Sequence, residues 1–237
     1  MDNAIYAALT RQSGLMREMR TVANNMANSA TTGFRREGVV FSEHMTSLGQ
    51  GTETLSMANA RGREVDLTPG SLTTTGGRFD LALERDGFFM VQTPQGNRLT
   101  RAGAFMLSAE GELVNADGHR VLDDGEAPIA LPPGTRSIGV GTDGTISADG
   151  QPVGRVGVFD QPDRSRLTHE GGTLFSAEGA APVQDAVVRQ GFLEESNVNP
   201  VLEIARMIEV QRAYELGQSF LDGEDQRIRS AITATTR

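Results

Sequence analysis

Residues 1–29 read MDNAIYAALTRQSGLMREMRTVANNMANS, and residues 199–232 read NPVLEIARMIEVQRAYELGQSFLDGEDQRIRSAI. In the first stretch Ile5, Ala8, Gln12, Leu15, Met19, Val22 and Met26 recur at alternating steps of three and four, the stripe of a helix that packs on another helix. In the second, Met207, Val210, Tyr214, Gly217, Leu221, Ile228 and Ile232 nearly repeat that spacing, while Val201, Ile204 and Ile208 form a second stripe offset around the axis. One stripe can face the other end of the same chain. The other has no obvious neighbour within one molecule, so both ends read as assembly elements.

The body between these ends has a different make-up. The chain has 237 residues, enough for one large or two modest domains with a real core. It has no cysteine, no tryptophan and 28 glycines, which points to a turn-rich β body and excludes disulfides, thiol chemistry and cysteine-bound metal. A net charge of −9 repels polyanions, and no cluster of basic residues interleaved with aromatics interrupts it, so nucleic acid is not an expected partner. Apolar runs such as Phe88-Phe89-Met90-Val91 fall far short of the roughly 20 residues a bilayer span needs. The first residues lack a continuous apolar core, being interrupted by Arg11, Arg17 and Arg20, so no cleaved signal peptide is expected.

Along the chain, the first helix should stop near Asn28, where polar residues and Gly33 favour a turn. Residues 31–75 show no sustained period and read as an extended connector with short strands. From 76 to 190 the period becomes two: Phe79, Leu81 and Leu83 alternate, and turns at Pro94-Gln95-Gly96-Asn97, Glu110-Gly111, Asp117-Gly118, Asp143-Gly144 and Asp149-Gly150 mark hairpins. In the last segment, 191–237, Asn199 is an N-cap, Pro200 the first helical residue and Glu203 a first-turn acid. The expected fold class is α+β. A discontinuous coiled-coil domain, made of residues 1–30 and 191–237, carries an inserted antiparallel β-rich domain.

No constellation of catalytic residues stands out. His44, His119 and His169 are far apart without metal-ligand spacing, and read as solvated loop residues. Gly139-Val140-Gly141 lacks the third glycine of a dinucleotide loop, and no serine sits in a G-x-S-x-G elbow. We therefore expect no metal, no cofactor and no catalytic residue. The rival class is a secreted carbohydrate- or peptidoglycan-cleaving enzyme whose terminal helices merely dimerise; it explains only the abundant carboxylates, and ten Phe and two Tyr offer few sugar platforms.

At Ala23-Asn24-Asn25-Met26-Ala27-Asn28-Ser29-Ala30-Thr31-Thr32-Gly33-Phe34-Arg35 the sequence resembles the N-terminal signature of the bacterial flagellar axial proteins, the rod and hook family. The resemblance continues at Gly87-Phe88-Phe89, at Leu99-Thr100-Arg101-Ala102-Gly103-Ala104-Phe105, at Gly111-Glu112-Leu113-Val114 and at Asp117-Gly118. It ends at Gly191-Phe192-Leu193-Glu194-Glu195-Ser196-Asn197-Val198-Asn199 and Met207-Ile208-Glu209-Val210-Gln211-Arg212-Ala213-Tyr214-Glu215. The opening Met1-Asp2-Asn3-Ala4-Ile5-Tyr6 and the short length are similar to a proximal rod subunit, with a distal rod subunit as the alternative.

The resemblance implies a non-enzymatic structural subunit. Its terminal helices would line a hollow, torque-transmitting shaft, assembled helically with its own copies and with other rod proteins. It also implies delivery by the flagellar type III export apparatus without cleavage, and residence in the periplasmic basal body. The expected assembly interface is Ile5, Leu15, Met19, Val22, Asn24, Asn25, Asn28, Gly33, Phe34, Ile204, Ile208, Gln211, Tyr214 and Leu221. Two readings stand for Asn24, Asn25 and Asn28. They are either solvated residues fraying a helix end or half-buried amides that fix register, because an unpaired buried amide costs about 1–3 kcal/mol. Gly33 and Phe34 would turn and anchor the chain, and Gln211 and Tyr214 would face a core while offering polar tips.

Overall fold

A computed structural model describes residues 2–47, 54–163 and 166–235. The chain divides into two compact units: residues 1–27, 37–64 and 199–237 form one, and residues 28–36 and 65–198 form the other.

The first unit holds α1 (Asp2–Ala27), β1 (Glu37–Ser47), β2 (Thr54–Val65) and, from the far end of the chain, the second helix (Pro200–Thr235). The two strands pair as a separate two-stranded sheet. The second helix begins where its cap chemistry dictates, with Asn199 Oδ1 accepting from the N–H groups of Val201 at 3.0 Å and Leu202 at 3.3 Å.

The second unit is all strand and turn. It runs through β3 (Leu72–Thr74), β4 (Leu81–Leu83), β5 (Phe88–Thr93), β6 (Gly96–Thr100), β7 (Phe105–Leu107), β8 (Leu113–Asn115), β9 (Arg120–Val121), β10 (Ile138–Val140), β11 (Thr145–Ala148) and β12 (Gln151–Arg155). It continues with β13 (Val158–Asp160), β14 (His169–Gly171), β15 (Leu174–Ser176), β16 (Ala181–Pro182), β17 (Val188–Gln190) and β18 (Phe192–Glu194), after which the last helix is α2. The largest sheet has the order β14-β15-β6-β5-β9-β8-β7, with β13 also pairing β5 and β16. β10, β11 and β12 form a separate three-stranded sheet.

β5 explains the core. Its residues Phe88 to Val91 are all buried, and the pleat sends successive side chains to opposite faces. Phe89 and Val91 enter one cluster with Leu81, Leu83 and Phe105. Phe88 and Met90 enter another with Leu99, Phe159 and Phe175. Each fully buried side chain of this size contributes about 1.5–3 kcal/mol, so an uninterrupted apolar run in a strand period marks the strand buried on both faces.

Two expectations are corrected. The chain is not an α+β protein built on a coiled coil: among the described residues eighteen strands separate one N-terminal and one C-terminal helix, so it is mostly β. Among the described residues the helix pair shows no continuous apolar seam of the kind a coiled coil requires, because Gln12, Glu18, Asn25 and Glu203 are buried in it beside Leu15, Val22 and Val210. The inserted β domain holds only in part, since residues 37–64 group with the helices. Their strands, of 11 and 12 residues, escape a sequence reading because apolar neighbours such as Val39-Val40-Phe41 break strict alternation.

Four carboxylates of the second unit sit below their usual range. Hydroxyls of Ser71 and Thr73, each at 2.6 Å, lower Glu195, and the Arg189 fork lowers Glu84. The Thr145 hydroxyl and N–H lower Asp143. Burial pushes Asp66 up, but its bonds from Thr68 outweigh that and leave it lowered. A depressed folded value means that the folded state binds fewer protons than the unfolded one. The resulting stability is therefore complete above the unfolded values near about 4 and is lost as pH falls through the folded ones. Thermal melts should be level from about pH 6 to 8 and fall steadily below about pH 4; equal midpoints at pH 7 and pH 3 would refute this assignment.

Candidate assembly interface

Within the first unit α1 and α2 run antiparallel, since partners on α2 fall in number as those on α1 rise. Leu15, Val22 and Val210 supply buried apolar contact. Three polar rungs set the register. Gln12 Nε2 donates to the Tyr214 carbonyl at 3.0 Å, and a Cβ at position 217 would lie 2.7 Å from that nitrogen, so a larger residue there would displace the Gln12 amide. Arg206 Nε donates to Glu18 Oε1 at 2.6 Å. Burial lowers the Arg206 pKa, but its carboxylate partners Glu18 and Glu209 more than offset this and leave it raised.

The third rung is Asn25, which is fully buried. Its Nδ2 donates to the Glu37 carbonyl at 2.8 Å and to Glu203 Oε2 at 3.3 Å, and its Oδ1 accepts from the Glu37 N–H at 3.0 Å. One amide thus ties α1 to the first residue of β1 and to the first turn of α2. Asn24 is exposed, and Asn28 is half-buried in the turn after α1 with its Oδ1 accepting from the Thr31 hydroxyl.

The other expected interface residues are not gathered in one place. Leu15 and Val22 are buried, Met19, Tyr214 and Leu221 are half-buried, and Ile204, Ile208 and Gln211 are exposed on α2. The Ile5 side chain lies outside the described residues. Outward on α2 stand Val201 and Leu216, each 73% exposed, with Leu202 and Phe220.

Gly33 and Phe34 lie in the second unit, next to a buried cluster of charge. Gly33 has φ +70°, its N–H donates to the Glu194 carbonyl at 2.7 Å, and a Cβ there would stand 2.2 Å from the Ala102 nitrogen. Phe34 packs edge-on against His169, which packs on Phe175 in turn, so this histidine is held between rings rather than solvated in a loop. Glu194, 1% exposed, receives Arg35 Nη2 at 2.6 Å and Arg101 Nε at 2.7 Å. Its Oε1 also accepts from the Gly70 N–H at 2.9 Å. Arg35 donates further to the Thr68 carbonyl, and Arg101 to those of Arg85 and Gly87. Burial lowers the Arg35 pKa, opposed by Glu194 and reinforced by Arg101. The chain has no lysine, and this cluster uses the forked donors that only a guanidinium has.

Sequence reasoning passed over Glu18 and Arg206 because charged residues in a helix are ordinarily solvated, and it read Glu203 only as a first-turn acid. It also passed over Arg35, Arg101 and Glu194. The signal for these three was present, since each stands inside one of the family-like motifs. Among the described residues no group of three or more His, Cys, Asp or Glu is placed to hold a metal, and no helix is long and apolar enough to cross a membrane.

Comparison with known proteins gives these features a context. Residues 82–148 match the flagellar hook protein FlgE/F/G D1 domain, and residues 189–234 match the flagellar basal body rod FlgEFG protein C-terminal domain. The chain is 40% identical to the flagellar basal-body rod protein FlgF of Caulobacter vibrioides, over 98% of this chain and 97% of that one. It is 39% identical to FlgF of Mesorhizobium japonicum over 91% and 90%, and 30% identical to the rod protein FlgG of Buchnera aphidicola over 89% and 91%. With such identity along nearly its whole length, the chain belongs to the flagellar basal-body rod protein FlgF family and is a structural subunit of the flagellar rod.

Proposed function

We propose that this subunit builds the proximal rod by non-catalytic polymerisation, its helices forming the wall of a hollow, torque-transmitting shaft in contact with its own copies and with other rod proteins. The observation that carries this reading is the row of large apolar side chains left exposed on α2: Val201, Leu202, Ile204, Ile208, Leu216 and Phe220. A monomer gains nothing from that row, and exposed apolar surface of this extent marks an association site. The subunit would reach the periplasmic basal body through the flagellar export apparatus with α1 retained, because Gln12, Glu18 and Asn25 of α1 hold α2 in place.

The test is a strain lacking the chain and complemented with it. Basal bodies from the complemented strain should contain the subunit and swimming should return. Full motility without the chain, or its absence from purified basal bodies, would overturn the reading. Substituting His44→Ala and His119→Ala together should leave swimming at the wild-type level, since the proposed role is not catalytic. A loss in protein that still folds and assembles would point to chemistry instead.

A further inference from the structure

Resting on the rod-assembly reading, we infer that the outward face of α1 in one copy docks antiparallel on the outward face of α2 in the next, setting Arg20 against Glu215. On α1, Ser13, Arg17, Arg20, Asn24 and Ala27 follow steps of four, three, four and three, and all five are exposed. On α2, Ile208, Gln211, Glu215, Gln218 and Asp222 follow steps of three, four, three and four, and all five are exposed. Laid antiparallel, the rows coincide throughout: Ala27 meets Ile208, Asn24 meets Gln211, Arg20 meets Glu215, Arg17 meets Gln218 and Ser13 meets Asp222.

Charge selects the occupant. The α1 row carries two arginines and no acid, and the α2 row carries two acids and no base. Within the subunit, Glu18 of α1 pairs with Arg206 of α2, in the opposite sense. A second copy brings the complementary row at the matching spacing.

The contact joins two different faces, so each added copy leaves one of each face free. It propagates instead of closing as a pair, which is what a helical assembly requires. Exposed ion pairs contribute little affinity, so Arg20 and Glu215 fix register and orientation while neighbouring apolar residues such as Ile208 supply adhesion.

The chain has no cysteine, which permits a clean test. Two single variants, Asn24→Cys and Gln211→Cys, are co-expressed in cells lacking the native chain, and their basal bodies are isolated and oxidised. A disulfide dimer of about twice the subunit mass should form only when both variants are present. Basal bodies that contain both chains without that dimer, or a disulfide to a different rod subunit in its place, would overturn the contact. In parallel, Arg20→Glu and Glu215→Arg should each lower incorporation about tenfold, and together should restore it to within about threefold of wild type. Wild-type incorporation of either single variant, or a double variant no better than the singles, would also overturn it. Absence of the wild-type chain from basal bodies would instead sink the rod reading itself.

Discussion

Replacing Glu194 by Ala should remove about 3–5 kcal/mol from the stability of the β unit, because it leaves the buried Arg35 and Arg101 guanidiniums without their shared counter-charge. Domains of this kind hold only about 5–15 kcal/mol in total, so the variant would sit near the edge of folding at physiological temperature. Chemical denaturation followed by far-ultraviolet circular dichroism should show the midpoint moving sharply toward lower denaturant. Glu194→Gln should fall between the two, since it keeps an acceptor for the Gly70 N–H but drops the charge. The triple replacement Arg35→Met, Glu194→Leu, Arg101→Met should recover much of the loss, as buried ion clusters often yield to apolar ones at little net cost. A Glu194→Ala midpoint indistinguishable from wild type would mean that the cluster is not closed to solvent as described.

The second large effect is on assembly rather than folding. Ile204→Asp or Leu216→Asp alters a side chain that is 49% or 73% exposed in the subunit. The isolated protein should therefore keep its stability to within about 0.5 kcal/mol. In the rod the same carboxylate would be buried without a partner, a cost of several kcal/mol, or roughly a hundredfold in incorporation at about 1.4 kcal/mol per factor of ten. Quantifying the subunit in purified basal bodies, with swimming in soft agar alongside, measures this. Leu221→Asp should behave differently, since Leu221 is half-buried and its replacement should lower the melting temperature of the free subunit as well. Normal incorporation of both Ile204→Asp and Leu216→Asp would show that the apolar row is not the contact surface.

The amino-acid sequence by itself determined the elements whose signals are local. The two terminal helices, the Asn199 cap, the doubly buried strand around Phe88 to Val91 and the turn at Gly33 all follow from spacing and backbone freedom within a few residues. The family was also legible, because its motifs are contiguous in sequence. Tertiary structure alone decided what depends on pairs far apart in the chain. Asn24 and Asn25 are adjacent and identical in kind, yet one is exposed and the other fully buried against Glu37 and Glu203. Only the placement of β1 and α2 separates them. The same holds for Arg35, Arg101 and Glu194, each unremarkable until three distant segments bring their charges within hydrogen-bonding distance. It holds too for the helix pair, where an apolar spacing suggested a coiled coil. Glu18 and Asn25 are buried there beside Leu15 and Val22, because each finds a hydrogen-bond partner on α2 and a satisfied polar group can be buried where an unsatisfied one cannot.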